Sequence, residues 1–158
     1  DAVVGELLNE LDRLDLYDRA TLLIGMCMDH RKQLRLPDQF AYILRAGGAN
    51  LRPSEFKVSY AIAVGGVRHV ALIAHTQCGM SGLADRREQF IAGLVDVGWN
   101  RDMAVAHFER HAPVFEIGDE IDFVVSEAKR LQIRYPAVSV TPLVYRVEDS
   151  RLYLVSAE

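Results

Sequence analysis

Two runs constrain this chain most: residues 21–26, Thr-Leu-Leu-Ile-Gly-Met, and residues 69–74, His-Val-Ala-Leu-Ile-Ala. Both have strand length and are apolar in all but the first position, so neither alternates as a strand with one face in water would. A strand apolar on both faces belongs inside a parallel sheet covered by helices, and parallel neighbours need long crossovers between them. The rest of the chain supplies such crossovers. The expected fold is α/β, a mostly parallel central sheet flanked by helices, with residues 1–158 forming a single domain.

Helical spacing recurs between the strand runs. Residues 3–16 place Val4, Leu7, Leu8, Leu11 and Leu14 on one stripe, and residues 40–44 read as a second strand. Pro53 suits the first turn of a helix over 55–64 that Gly65-Gly66 stops. Residues 86–97 carry Phe90, Ile91, Leu94 and Val95 on one face, and Gly98-Trp99-Asn100 breaks that helix. A short helix over 102–111 is expected to end at Pro113. A longer one over 119–134 turns Ile121, Val124, Val125, Ala128 and Leu131 inward and stops at Tyr135-Pro136. Residues 138–147 and 151–155, joined by Glu148-Asp149-Ser150, read as an antiparallel hairpin at the sheet edge.

Charge and hydropathy narrow the partners. A net charge of -4 leaves no basic footprint for nucleic acid. No apolar stretch approaches the roughly 18 residues of a membrane span, and the first residues are acidic and amphipathic rather than signal-like. A cytoplasmic protein with a small-molecule substrate, or a second copy of itself, as partner is the expectation. The chain has only 2 cysteines, which point to one disulfide in a secreted protein and to metal or catalysis in a cytosolic one.

Those cysteines lie where the two strand runs end. Cys27 follows the first run, His75 the second, and Cys78 comes two residues after the intervening Thr76. In an open parallel sheet, ligands bind at the carboxyl ends of strands. Two thiolates and one imidazole form a donor set that suits zinc and leaves a fourth position free. Taken alone, Cys27 is as readily a small core residue, and His75-x-x-Cys78 is a weak signal. Gly47-Gly48 either present N–H groups to an anion or an approaching substrate, or simply turn the chain. His30, between Asp29 and Arg31, either points away from such a site or serves as a proton shuttle. His107 and His111, four apart on a helix, form either half of a second metal site or a solvated face.

Cys27-Met28-Asp29-His30-Arg31 fits a CxDxR motif and His75-Thr76-Gln77-Cys78-Gly79 an HxxCG motif. In both, the chain resembles the beta-class carbonic anhydrases, and most closely a compact bacterial branch that also contains carbonyl sulfide and carbon disulfide hydrolases. The resemblance extends over residues 22–154 and includes Gly47-Gly48, the 59–62 segment and the closing hairpin. It implies one zinc per chain held by Cys27, His75 and Cys78, with water or hydroxide in the fourth place that hydrates carbon dioxide reversibly to bicarbonate and a proton. Asp29 would accept the hydroxide's hydrogen bond, and Arg31 would grip Asp29 and keep it ionised. Released from Arg31, Asp29 becomes a conditional fourth ligand. Gly47, Gly48 and Gly79 would border the substrate, and a homodimer or higher homo-oligomer is implied, because the family builds its sites at subunit interfaces.

The chain departs from the resemblance in places. Its 32–46 segment is shorter by several residues, which reshapes the pocket rim, and Gln77 stands where an aspartate is common. Phe40, Tyr42 and Val64 are the candidates for an apolar cleft. Two alternatives follow: hydrolysis of carbonyl sulfide or carbon disulfide on the same zinc, and a catalytically silent zinc-binding or regulatory domain.

Overall fold

The structure, a computed structural model, describes residues 19–156; the helix expected over 3–16 lies outside them. Five strands form one sheet: β1 (Leu22–Met26), β2 (Ala41–Arg45), β3 (His69–His75), β4 (Ser139–Arg146) and β5 (Arg151–Leu154). Their order is β2-β1-β3-β4-β5. The first three pairings are parallel, and β4 meets β5 antiparallel. This is the mostly parallel sheet with an antiparallel edge hairpin that the sequence predicts.

Among the described residues, four α-helices accompany the sheet: α1 (Glu55–Ala63), α2 (Arg87–Asp96), α3 (Arg101–Phe115) and α4 (Glu120–Arg134). Because successive strand side chains alternate in direction, each continuous apolar run feeds two layers. Leu23, Val70, Leu72 and Ala74 pack with Val58 and Ala61 of α1 and Val124, Ala128 and Leu131 of α4. Each fully buried leucine in this layer contributes about 1.5–3 kcal/mol. The opposite layer joins Leu22, Ile24, Met26, Ala71 and Ile73 to Phe40, with Leu34 and Leu36 against it. Its cover among the described residues is therefore the irregular segment leading into β2, which fixes where that segment runs.

Gly25 lies in the middle of β1 for a packing reason. A Cβ there would meet Leu51 Cδ1 at 2.7 Å and Leu72 Cδ2 at 2.9 Å. In α4, Glu127 is fully buried on the apolar stripe. It is neutralised by Arg52 Nε, which donates at 2.9 Å, and by Arg130 Nε at 2.8 Å, the condition under which a buried carboxylate is tolerated.

Three helical expectations change. Pro113 does not end its helix: α3 runs through it to Phe115. The proline removes one N–H, leaving the carbonyl of the exposed Glu109 to solvent. The following turn is held from elsewhere, since Asn50 Nδ2 donates to the Val114 carbonyl at 3.1 Å. Ile121, in the first turn of α4, is 43% exposed rather than inward. Of the α2 face only Ile91 is fully buried, and Phe90 is half-exposed.

Parallel register brings the chemistry together. Met26 of β1 stands opposite Ile73 of β3, so the residue after β1 and the last residue of β3 emerge side by side at the carboxyl edge.

Candidate metal centre

Cys27 leaves β1, His75 ends β3, and Gln77, in a left-handed conformation with φ 56°, turns the chain so that Cys78 comes back over the strand end. The three side chains are buried, and their ligand atoms lie within 4.8 Å of one another. Cys27 Sγ and Cys78 Sγ are 4.0 Å apart. That is twice the length of a disulfide bond, about 2.05 Å. It is close to the ~3.8 Å edge of a tetrahedron with Zn–S bonds of about 2.3 Å.

The imidazole is set for coordination. His75 Nδ1 lies 2.7 Å from the Thr76 carbonyl oxygen. A carbonyl only accepts, so Nδ1 carries the proton and Nε2 keeps its lone pair. Nε2 is buried without a hydrogen-bond partner. An orphaned acceptor beside two sulfurs is costly unless something electrophilic sits among them. Gly48 N–H donates to Cys27 Sγ at 3.2 Å, and Cys78 N–H donates to Glu120 Oε1 at 3.0 Å. The hydrogen bond with the Cys78 sulfur, helped by His75 and by the Asp29 and Gly48 N–H groups, favours the Cys27 thiolate against the effect of burial.

Asp29 adjoins this cluster, with Oδ2 4.0 Å from His75 Nε2. It accepts from Arg31 Nε at 3.0 Å, Arg31 Nη2 at 2.8 Å and the Arg31 backbone N–H at 2.9 Å. Those bonds from Arg31 hold its carboxyl well below the usual carboxylate range. Arg31 also donates to the Gln77 carbonyl at 2.8 Å and to Gln77 Oε1 at 3.3 Å. With a neutral amide as neighbour, Asp29 is the one carboxylate paired with Arg31. Gln77 Nε2 in turn reaches Glu148 at 3.2 Å, and Thr76 Oγ1 donates to the same carboxylate at 2.8 Å. Cys27, Asp29, His75 and Tyr145 line a cavity of about 10 Å³, room for roughly one water.

Five strands in this order, with a Cys-His-Cys cluster at the carboxyl edge, invite comparison with solved structures. A beta-carbonic anhydrase from Trichomonas vaginalis superposes with a TM-score of 0.70 at 15% identity, over 97% of this chain and 94% of that one. The fold is that of the beta-carbonic anhydrases. A carbonic anhydrase from Streptococcus mutans matches at 0.69 and 19% identity, over 99% of this chain and 96% of that one. A carbon disulfide hydrolase in its apo form matches at 0.60 and 17% identity, over 96% and 90%. No protein-family model and no curated protein matches the sequence.

Within this beta-carbonic anhydrase fold the remaining sequence candidates divide. Gly47 and Gly48 are filled from behind: a Cβ on Gly47 would meet Met80 Cγ at 2.7 Å, and one on Gly48 would meet Ile117 Cδ1 at 2.8 Å. Gly79 has open space around its Cα. His30 is exposed. His107 and His111 meet edge to face, ring centroids 4.8 Å apart, beside an apolar cavity of about 480 Å³ lined also by Met28, Met80, Phe90 and Phe108. They have no third metal-ligating partner among the described residues. The expected cleft of Phe40, Tyr42 and Val64 does not form: Phe40 is buried under the sheet, Tyr42 lines a separate groove with Phe56 and Tyr60, and Val64 is exposed.

Sequence reasoning missed Glu120, Glu148 and Arg45. Arg45, at the end of β2, donates to the carbonyls of Cys27, Asp29 and Lys32. No short-range spacing announces any of the three, because their partners lie far along the chain.

Proposed function

We propose that this chain is a zinc lyase that interconverts carbon dioxide and water with bicarbonate and a proton, with one ion per chain. The observation that carries the reading is the buried, unpartnered His75 Nε2, facing two cysteine sulfurs and 4.0 Å from a carboxylate. The donor set fits zinc: two soft thiolates and a borderline imidazole, three ligands with one position open. Bound there, zinc would supply a Lewis acid and a water of lowered pKa.

The chain's own residues do the rest. Asp29, held ionised by Arg31, accepts a hydrogen bond at Oδ2 and so orients a water beside the ligands toward an incoming carbon atom. Arg31 acts through Asp29, fixing its carboxylate with bidentate geometry. The water-sized space between Cys27, Asp29 and His75 admits a small group. If Arg31 let go, Asp29 would be near enough to become the fourth ligand and close the site. Gly79, with nothing near its Cα, leaves a small linear substrate room to approach.

The reading takes the chain as a single domain acting as a homodimer or larger homo-oligomer in the cytoplasm, where its two unpaired thiols stay reduced. Tyr42, Ile43, Phe56 and Tyr60 form an exposed apolar groove of about 280 Å³ beside β2, an edge strand among the described residues, a surface of the kind that a subunit contact covers. No helix among the described residues is long and apolar enough to cross a membrane.

A second reading, hydrolysis of carbonyl sulfide or carbon disulfide, is favoured by the thioether- and phenyl-lined cavity beside the centre, which suits uncharged sulfur compounds. Stopped-flow carbon dioxide hydration by protein of verified zinc content tests the first. Fast turnover that Asp29→Ala abolishes supports it. Zinc-loaded protein inert toward carbon dioxide but active on carbonyl sulfide or carbon disulfide supports the second, and protein inert toward all three is a silent zinc-binding domain.

A further inference from the structure

From Cys27 to Phe40 the chain crosses from β1 to its parallel neighbour β2 without helix or strand. Among the described residues, no backbone–backbone hydrogen bond ties residues 27–36. Yet this segment carries Cys27 and Asp29, whose side chains must meet His75 and Cys78 to within tenths of an ångström. Something other than secondary structure holds it.

Leu34, Leu36 and Phe40 anchor its far part under the sheet, and one side chain ties the backbone of its near part. Arg45 ends β2 opposite Met26 in the parallel register, and the next residue, Ala46, donates its N–H to the Met26 carbonyl at 2.9 Å. The stem of Arg45 is therefore fixed to the strand end from which Cys27 emerges. Its guanidinium donates from Nε to the Cys27 carbonyl at 3.0 Å, and from Nη2 to the Asp29 carbonyl at 2.8 Å and the Lys32 carbonyl at 2.9 Å. Nη1 donates to Gln33 Oε1 at 3.2 Å. One rigid fork thus spans both functional residues of the loop and its far side. Arg31 holds the side chain of Asp29; Arg45 holds its main chain.

We propose that Arg45 is the positioning residue of the metal centre: by clamping the carbonyls of Cys27, Asp29 and Lys32, it sets where Cys27 Sγ and Asp29 Oδ2 stand relative to His75 and Cys78. It touches neither metal nor substrate. The proposal rests on the reading that these residues bind zinc. Lysine cannot replace it fully, because the Cys27 carbonyl and the other two are reached by different nitrogens of a planar group, whereas an ammonium donates from one point.

The test uses Arg45→Met, which keeps the aliphatic stem and removes the fork, and Arg45→Lys. Zinc affinity is measured by competition with a chromophoric chelator, ligand geometry by the thiolate-to-cobalt absorption band of the cobalt-substituted protein, and integrity by circular dichroism and thermal unfolding of the metal-free protein. Arg45→Met is expected to weaken zinc binding by about 10–100-fold, the range for residues that orient ligands, with an altered cobalt band and native secondary structure. Arg45→Lys should fall between it and the parent. Unchanged zinc affinity and an unchanged cobalt band in Arg45→Met overturn the proposal, whatever happens to the unfolding temperature, because a merely structural arginine would move only the latter. Should Arg45→Met not fold, Arg45→Lys decides: weaker zinc binding in the folded variant supports the proposal, and parental affinity overturns it. A parent chain that binds neither zinc nor cobalt refutes the proposed function, and this inference with it.

Discussion

Replacing Gly48 by alanine tests how tightly the shell behind Cys27 is built. Gly48 has φ +65°, a conformation that costs a residue with a Cβ about 1–2 kcal/mol. The new methyl would meet Ile117 Cδ1 and Cγ2, both at 2.8 Å. Ile117 is itself buried against Cys27 and Cys78, so it has little room to retreat, and overpacking of this kind costs about 1–3 kcal/mol. The sum, about 2–5 kcal/mol, is a large share of the 5–15 kcal/mol that typically stabilises a domain. At about 2–4 °C per kcal/mol for a chain of this length, the metal-free protein should melt roughly 10 °C earlier. The control is Gly79→Ala: that Cβ meets nothing within 4 Å, so a change within about 0.5 kcal/mol is expected. Urea unfolding of both variants, metal-free and with m-values compared, is the assay. If Gly48→Ala proves as mild as Gly79→Ala, the reasoning from left-handed backbone and Ile117 packing is wrong.

Asp29→Asn keeps the size of the side chain and removes its charge, so zinc content should persist while carbon dioxide hydration falls by about 10²-fold or more, as for loss of a proton-handling group; stopped-flow rates normalised to zinc check it. Cys78→Ser removes a soft donor 4.0 Å from Cys27 Sγ, and should leave the purified protein with little zinc by elemental analysis. Glu116 accepts N–H bonds from Gly82, Leu83 and Gly118. Burial opposes its charged form, but those donors win and lower its pKa below 4.5. A depressed folded-state value means stability that is present above the unfolded carboxylate's pKa and lost as pH falls through the folded one. Glu116→Gln should therefore flatten the acid side of the stability curve below about pH 5, measured by urea unfolding across pH.

The strands of the core were legible because Leu22 to Met26 and Val70 to Ala74 are apolar on both faces, a pattern that admits few environments. The cluster of Cys27, His75 and Cys78 was legible for a related reason: Cys27 and His75 stand at strand ends that parallel register brings together, and the turn at Gln77 returns Cys78 to them. The pairing of Asp29 with Arg31 was implied by the resemblance carried by the CxDxR motif. Arg45 was not legible: its partners are the carbonyls of a loop that has no repeating pattern, and their approach is decided only when β2 aligns with β1. Glu120 and Glu148 escaped notice for the same reason. Pro113 misled because its local effect on a helix is real, while the Asn50 side chain that holds the following turn lies more than sixty residues away. Phe40 misled in the opposite sense, being apolar enough for a cleft but needed to close the underside of the sheet.

The spacing of the thiols has a consequence for the order of assembly. Cys27 and Cys78 are 51 residues apart, and they face one another only once β1 and β3 have paired in parallel. In small zinc modules with ligands a few residues apart, the ion gathers an otherwise unfolded chain. Here the chain must close a long loop first, a slow and non-local event, and the completed sheet would present the proposed ion with a finished cradle. Metal bound there would act as a lock applied last, making departure from the native state slower without hastening arrival at it.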